Sequence, residues 1–290
     1  MNRLRKFYFL WVSAYILPIV ACLTIMACGD RAVKDRRANP VFTNIDDGIK
    51  TDPQNGIPYA TTFQVPVTGL TASDFCFGFG QINTNFCMKS GPNGCEAYGA
   101  HLGQDSCVAK TPVGTEVVAP ADGIVRVTTD VKFSGYGADS SSNPEYKGCV
   151  EILEHEFPNG QRFITLLGHV KCESGVAYDP VAKKGNPKVG TIVKRGQYLG
   201  HVGHYWHGKD QSVDWHHLHW AMLMGSFSAS SYTASALAPY VRGYAPKSEF
   251  GYDPITKAFT HPEWVDPLVI LAANGDPAVQ ASADVKRHPS

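Results

Sequence analysis

From Cys76 onward, short apolar runs alternate with turn residues. "TEVVAP" leads into the turn "ADG" and on to "IVRVTT"; "CVEILEHEF" leads into "PNG" and on to "QRFITLLGHV". A period of two puts successive side chains on opposite faces of a strand. Asn159-Gly160 between two such runs is the strongest short-range hairpin signal. Pairing across it brings Cys149 close to the approach to Cys172, and a disulfide between them would staple the open end. "TIVKRGQYLGHVG" and "HLHWAMLM" supply further strand-like runs, with no long amphipathic helix and no internal repeat in this core. The pattern predicts a mainly β fold, an antiparallel sheet or sandwich with large loops.

The N-terminal residues read differently. "MNRLRK" and the apolar run after it, residues 1–27, have the form of a signal peptide. "IMAC" followed by "GD" resembles the lipobox of bacterial lipoproteins, in which the cysteine (here Cys28) is acylated after cleavage. "IVAC" at Cys22 fits the same pattern, but small and polar residues follow Cys28 at once. An uncleaved helix anchor is the alternative, since the run is about long enough to span a bilayer, although Pro18 interrupts it. Both readings make the protein exported and membrane-anchored, in the periplasm or cell envelope. Residues 28–72 are polar and aperiodic, a tether ordered only if it packs on its neighbour. Residues 73–275 form the predicted domain. It carries a low-charge surface excursion at 225–262, with a short helix around Ala234–Val241, and "PEWVDPLVIL" then docks back on the body. Residues 276–290 read as a frayed tail.

Composition narrows the classes. A hydrophobic content of 43% excludes wholesale disorder. Lys+Arg and Asp+Glu both total 26, so no basic surplus points to nucleic acid. Beyond Cys22 and Cys28, the cysteines are Cys76, Cys87, Cys95, Cys107, Cys149 and Cys172. An even set in an exported chain reads as disulfides, and no CxxC spacing supports a thiolate zinc site.

Candidate chemistry centres on "DWHHLHWAM" at 214–222. If "HLHWAMLM" is a strand, Leu218, Trp220, Met222 and Met224 share an apolar face, while His217, His219, Ala221 and Leu223 share the other. His217 and His219 are then a same-face pair able to flank one ion or one substrate, and His216 is the odd one out. "HLGQD" offers His101 and Asp105 four apart. Catalytic zinc takes three protein ligands from His and Asp/Glu and keeps one position open. His101, Asp105 and one of the paired histidines would make such a set, and His169 adds a further imidazole on a strand. Taken singly, an HxxxD stretch is more often a solvated loop and a strand-end histidine a capping residue. His155, His201, His204 and His207 read as lining or rim of a groove, and His261 and His288 as surface.

Five blocks in order carry a family resemblance: "HLGQD", "TPVGTEVVAPADGIVRV", "CVEILEH…NG…FITLLGHV", "VGTIVKRGQYLGHVG" and "HLHW". From about Phe77 to Leu271 the chain resembles the lysostaphin or LytM-type zinc metallopeptidases, the peptidoglycan endopeptidases of bacteria. The resemblance implies that His101, Asp105 and His219 hold zinc and that His217 and His169 are the catalytic histidines. Trp220-Ala221 stand where the family has Phe-Glu. "GHYWHGKDQSVDW" lacks its Thr-Gly lead-in, and "LLGHV" replaces a tyrosine-containing version. Cysteine-bearing insertions near 81–100 and the excursion bear on specificity rather than on metal binding.

The implied activity is zinc-dependent hydrolysis of peptidoglycan peptide cross-links by metal-activated water. His217 and His169 would divide proton transfer and oxyanion or leaving-group stabilisation. The implied partners are peptide stems and the membrane through the N-terminal lipid or helix anchor, and the insertions leave room for a protein activator. Two alternatives stand beside it: the same chemistry on an exported or glycine-rich protein, and a non-catalytic wall-binding or regulatory module.

Overall fold

The computed structural model describes residues 43–44, 49–92, 94–130, 148–173, 175–205, 214–228, 243–254 and 258–274. All belong to one compact unit, Pro40–Ser290. The signal peptide, both lipobox cysteines, the helix at 234–241, His207, His288 and the 276–290 tail lie outside the described residues. Among the described residues, no helix is long and apolar enough to cross a membrane.

In chain order the elements begin with β1 (Thr43–Asn44), β2 (Lys50–Thr51), β3 (Phe75–Phe77), β4 (Ile82–Gly91), β5 (Gly94–His101) and β6 (Gly103–Ser106). Next come β7 (Glu116–Val118), β8 (Gly123–Asp130), β9 (Gly148–Glu156), β10 (Arg162–Lys171), β11 (Ile192–Val193) and β12 (Tyr198–His201). The C-terminal part supplies β13 (His219–Met224), β14 (Tyr244–Pro246), β15 (Gly251–Asp253), β16 (Ala258–Thr260), β17 (Trp264–Val265) and helix α1 (Pro267–Asn274). The main sheet has eight strands in the order β11-β8-β9-β10-β13-β6-β3, with β17 also on β13. Its pairs are antiparallel, so the mainly β reading holds.

The hairpin signal is realised in β9 and β10. Gly160 adopts φ 82°, a conformation that favours glycine, and Arg162 pairs with Glu156 as the first rung. At the open end Cys149 and Cys172 form the expected disulfide, with Cα atoms 5.1 Å apart. A second disulfide joins Cys76 to Cys107, and Cys95 is disulfide-bonded as well. Residues 163–170 of β10 are all buried, polar Thr165 and His169 included, because both faces of the strand are covered. On one face Leu153, Leu167, Trp220 and Met222 pack against Phe63, Val117, Leu199 and Leu271. On the other, Ile152, Ile164, Leu166 and Ala221 pack against Phe79, Leu102, Ala245 and Trp264. Trp220, the residue at odds with the family pattern, is thus a fully buried core side chain.

Three placements differ from the linear reading. The second half of the tether segment is part of the body: Ile49, Ile57, Phe63 and Val67 are buried, and Tyr59 bridges to Glu156. Turn residues separate these apolar positions, so no periodic signal marked them. Within the excursion, β14 pairs with β5 and buries Ala245. β7 and β8, adjacent in sequence, do not pair; β7 joins β12, and β8 lies between β11 and β9.

Candidate metal centre

The strand ladder assembles the centre. In the β6–β13 pair His219 lies opposite Asp105, and in the β10–β13 pair it lies opposite Gly168. His101 closes β5, and Leu102 alone separates it from the start of β6. Gly103 lets the strands approach: a Cβ there would sit 2.5 Å from the Trp220 carbonyl oxygen and 2.9 Å from His219 Cε1. Phe77 and Tyr244 flank the His101 ring, at centroid distances of 4.7 and 5.3 Å.

Three donor atoms converge. His219 Nδ1 is 2.8 Å from Asp105 Oδ1, His101 Nε2 is 3.1 Å from the same oxygen, and the two ring nitrogens are 3.0 Å apart. Ligands on a tetrahedral zinc at about 2.0–2.1 Å stand roughly 3.3 Å from one another, so each edge of the triangle is within about half an ångström of that spacing. Among the described residues this is the one group of His, Cys, Asp and Glu whose ligand atoms close in this way. His101 Nδ1 lies 3.3 Å from the Gly78 carbonyl. A proton on Nδ1 donated there turns the Nε2 lone pair inward, the usual way an outer partner orients a ligating imidazole.

Electrostatics agree with a ligand set. Burial pushes the Asp105 carboxyl up, but the neighbouring His101 and His217 and the hydrogen bonds from His101 and His219 outweigh it and hold it well below the usual range. Burial lowers His219 to about 4 against the opposing pull of Asp105, so its imidazole is neutral at pH 7. Two imidazole nitrogens and one carboxylate oxygen are borderline nitrogen and hard oxygen donors, the combination zinc accepts.

Two more histidines stand alongside. His217 Nε2 is 3.6 Å from Asp105 Oδ2, and its Nδ1 donates to the Trp215 carbonyl. His169 places its ring 4.4 Å from that of His217. Regular alternation would put His169 on the same face as Leu167, a member of the core cluster on the face away from His219. The ladder is irregular between Leu167 and Val170, and His169 takes φ 63°. This bulge re-aims one side chain without ending the strand, and a hydrogen bond from Gly203 N–H to the His169 carbonyl holds it.

The structure therefore brings His101, Asp105, His219, His217 and His169 together. His216 lies apart from the ligand group, near Asp214. His155, read as groove-lining, is instead fully buried in the core and stacked on Phe163, because its strand position faces Leu153's side of the sheet. Sequence reasoning passed over Tyr205, whose ring lies 4.1 Å from His169, and Tyr244, whose hydroxyl accepts from Asn83 Nδ2. Tyr244 is opposite His101 in the β5–β14 register. No local motif marks either tyrosine.

No family model and no curated protein matches the chain. Among solved structures it is similar to a candidate M23 peptidase from Pseudomonas aeruginosa, at 21% identity over 58% of this chain and 48% of that one, with a TM-score of 0.31. It is similar to the antimicrobial peptidase lysostaphin from Staphylococcus simulans, at 19% identity over 62% and 59% of the two chains and a TM-score of 0.30. For a candidate glycyl-glycine endopeptidase LytM from Ruminococcus gnavus the values are 16%, 53%, 55% and 0.27. The likeness spans about half the length of each of these neighbours.

Proposed function

We propose that the protein is an exported zinc endopeptidase that hydrolyses peptide cross-links of bacterial peptidoglycan. The observation that carries this reading is the His101–Asp105–His219 triangle of donor atoms, with two further imidazoles beside it. When bound there, zinc supplies Lewis-acid polarisation of a carbonyl or a water. The remaining tasks fall to the chain itself. With its Nδ1–H given to the Trp215 carbonyl, His217 keeps Nε2 as a proton acceptor beside Asp105 and is the general base. His169, re-aimed by the bulge, hydrogen-bonds the carbonyl oxygen or returns the proton to the leaving amine. The disulfides fit an oxidising compartment, and the lipobox-like segment supplies the tether to a membrane.

Metal analysis of the purified protein, followed by mass spectrometry of digested peptidoglycan, tests the reading. About one zinc per chain and newly freed peptide stems are expected. His217→Ala should keep the zinc yet lose about 100-fold or more in turnover. A zinc-free protein would overturn the enzyme reading in favour of a wall-binding module. Zinc without muropeptide cleavage would move the substrate to an exported or glycine-rich protein, and a fully active His217→Ala would remove that residue from the base role.

A further inference from the structure

His217 precedes the first residue of β13, so the sheet ladder does not hold it. Its ring is oriented by the Trp215 carbonyl, two residues back. Trp215 is in turn fixed from outside its own segment, because its N–H donates to the Tyr205 carbonyl at 2.8 Å. The Asp214 carboxylate closes the same junction. Its Oδ1 accepts the Tyr205 N–H at 3.0 Å, its Oδ2 accepts His204 Nδ1–H at 2.5 Å, and His216 Nδ1 lies 3.3 Å from that oxygen. The Tyr205 ring rests on His169 and lies edge-on to His217, at centroid distances of 4.1 and 5.5 Å.

We propose that Asp214 is a positioning residue: its carboxylate ties the segment whose tyrosine packs on His169 to the segment whose carbonyl sets the His217 tautomer. The proposal rests on the peptidase reading above. One carboxylate thereby governs both histidines without touching either. Burial raises the Asp214 carboxyl, but the His204 and Tyr205 hydrogen bonds outweigh it, so it is ionised and a strong acceptor at neutral pH. A second metal site is the rival reading of His204, Asp214 and His216. Their ligand atoms do not close into a set, whereas those of His101, Asp105 and His219 do.

The tautomer is directly readable. Full-length, metal-free protein labelled with 15N-histidine is compared at about pH 8, with the His217 signal assigned by its loss in His217→Ala. Wild type should show a single Nδ1–H tautomer for His217. Asp214→Ala should show an averaged mixture, and Asp214→Asn, which can still accept the Tyr205 N–H, should fall between. In zinc-loaded protein acting on peptidoglycan, Asp214→Ala should lower kcat about 100-fold, the scale of an ångström-level misplacement, with zinc content and KM unchanged. If Asp214→Ala fails to fold, His204→Ala removes one donor from the same carboxylate and should shift the tautomer in the same direction by less. An unchanged His217 tautomer in the folded variant would overturn the proposal, as would an unchanged kcat. Should the wild-type protein neither bind zinc nor cut peptide, the functional reading fails, and the metal-free spectra still decide the tie.

Discussion

At Gly103 the centre has no room for a methyl group, because the Trp220 carbonyl and the His219 ring already occupy that space. Gly103→Ala should push β6 from β13 and weaken zinc binding about 10- to 100-fold, the cost typical of disturbing a ligand's support. Zinc titration against a competing chelator measures it, and wild-type affinity would show that the strands relax freely. The two candidate donors in "HLGQD" and the pair in "HLHW" were legible because residue type and spacing are local properties of the chain. The resemblance paired His169 with His217, but strand periodicity by itself does not. Parity points His169 to the wrong face, and only the bulge between Leu167 and Val170 corrects that. Asp214, Tyr205 and Tyr244 carry no motif. Their roles come from what the chain folds against them.

At the scale of elements, two of the buried titratable groups on β9, Glu151 and His155, are shifted in opposite directions. Burial pushes Glu151 up to about 8, against the hydrogen bond from Asn186 Nδ2, and lowers His155 to about 4. The folded state keeps a proton on Glu151 that the unfolded chain releases near its ordinary value of 4.5. That contribution is complete below this pH and is lost as pH rises to about 8. For His155 the unfolded chain takes up a proton that the folded state refuses, so stability falls as pH drops from 6.5 toward about 4. Glu151→Gln keeps an acceptor for Asn186 and removes the alkaline loss. It should match wild type near pH 5 and exceed it by about 4 kcal/mol at pH 9 in urea unfolding. Equal pH slopes in the two proteins would refute a buried neutral carboxyl. The hairpin β9–β10 and its disulfide were predictable, since Asn159-Gly160 and the cysteine spacing act over a short loop. The partners of β7 and β8 were not, because pairing is chosen among all edges present once the chain collapses.

Across the whole molecule the sheet is buried on both faces, and His219 of the candidate centre shares β13 with core residues Trp220 and Met222. Trp220→Ala empties a position of 0% exposure and should cost about 3–5 kcal/mol in denaturant unfolding. A loss below about 1 kcal/mol would show that the cavity collapses. The apolar residues of the 49–67 segment reach the same body, as do β14 and α1, although composition assigned the first two stretches to a tether and an excursion. Local patterns were enough to specify the β class, the main hairpin, the Cys149–Cys172 bridge and the donor types at 101, 105 and 219, because period, turn chemistry and residue type act between near neighbours. The tertiary structure alone decided the strand order, the face of His169, the spacing granted by Gly103 and the tie at Asp214. Each of these depends on which distant segments share a surface, and no local pattern encodes that.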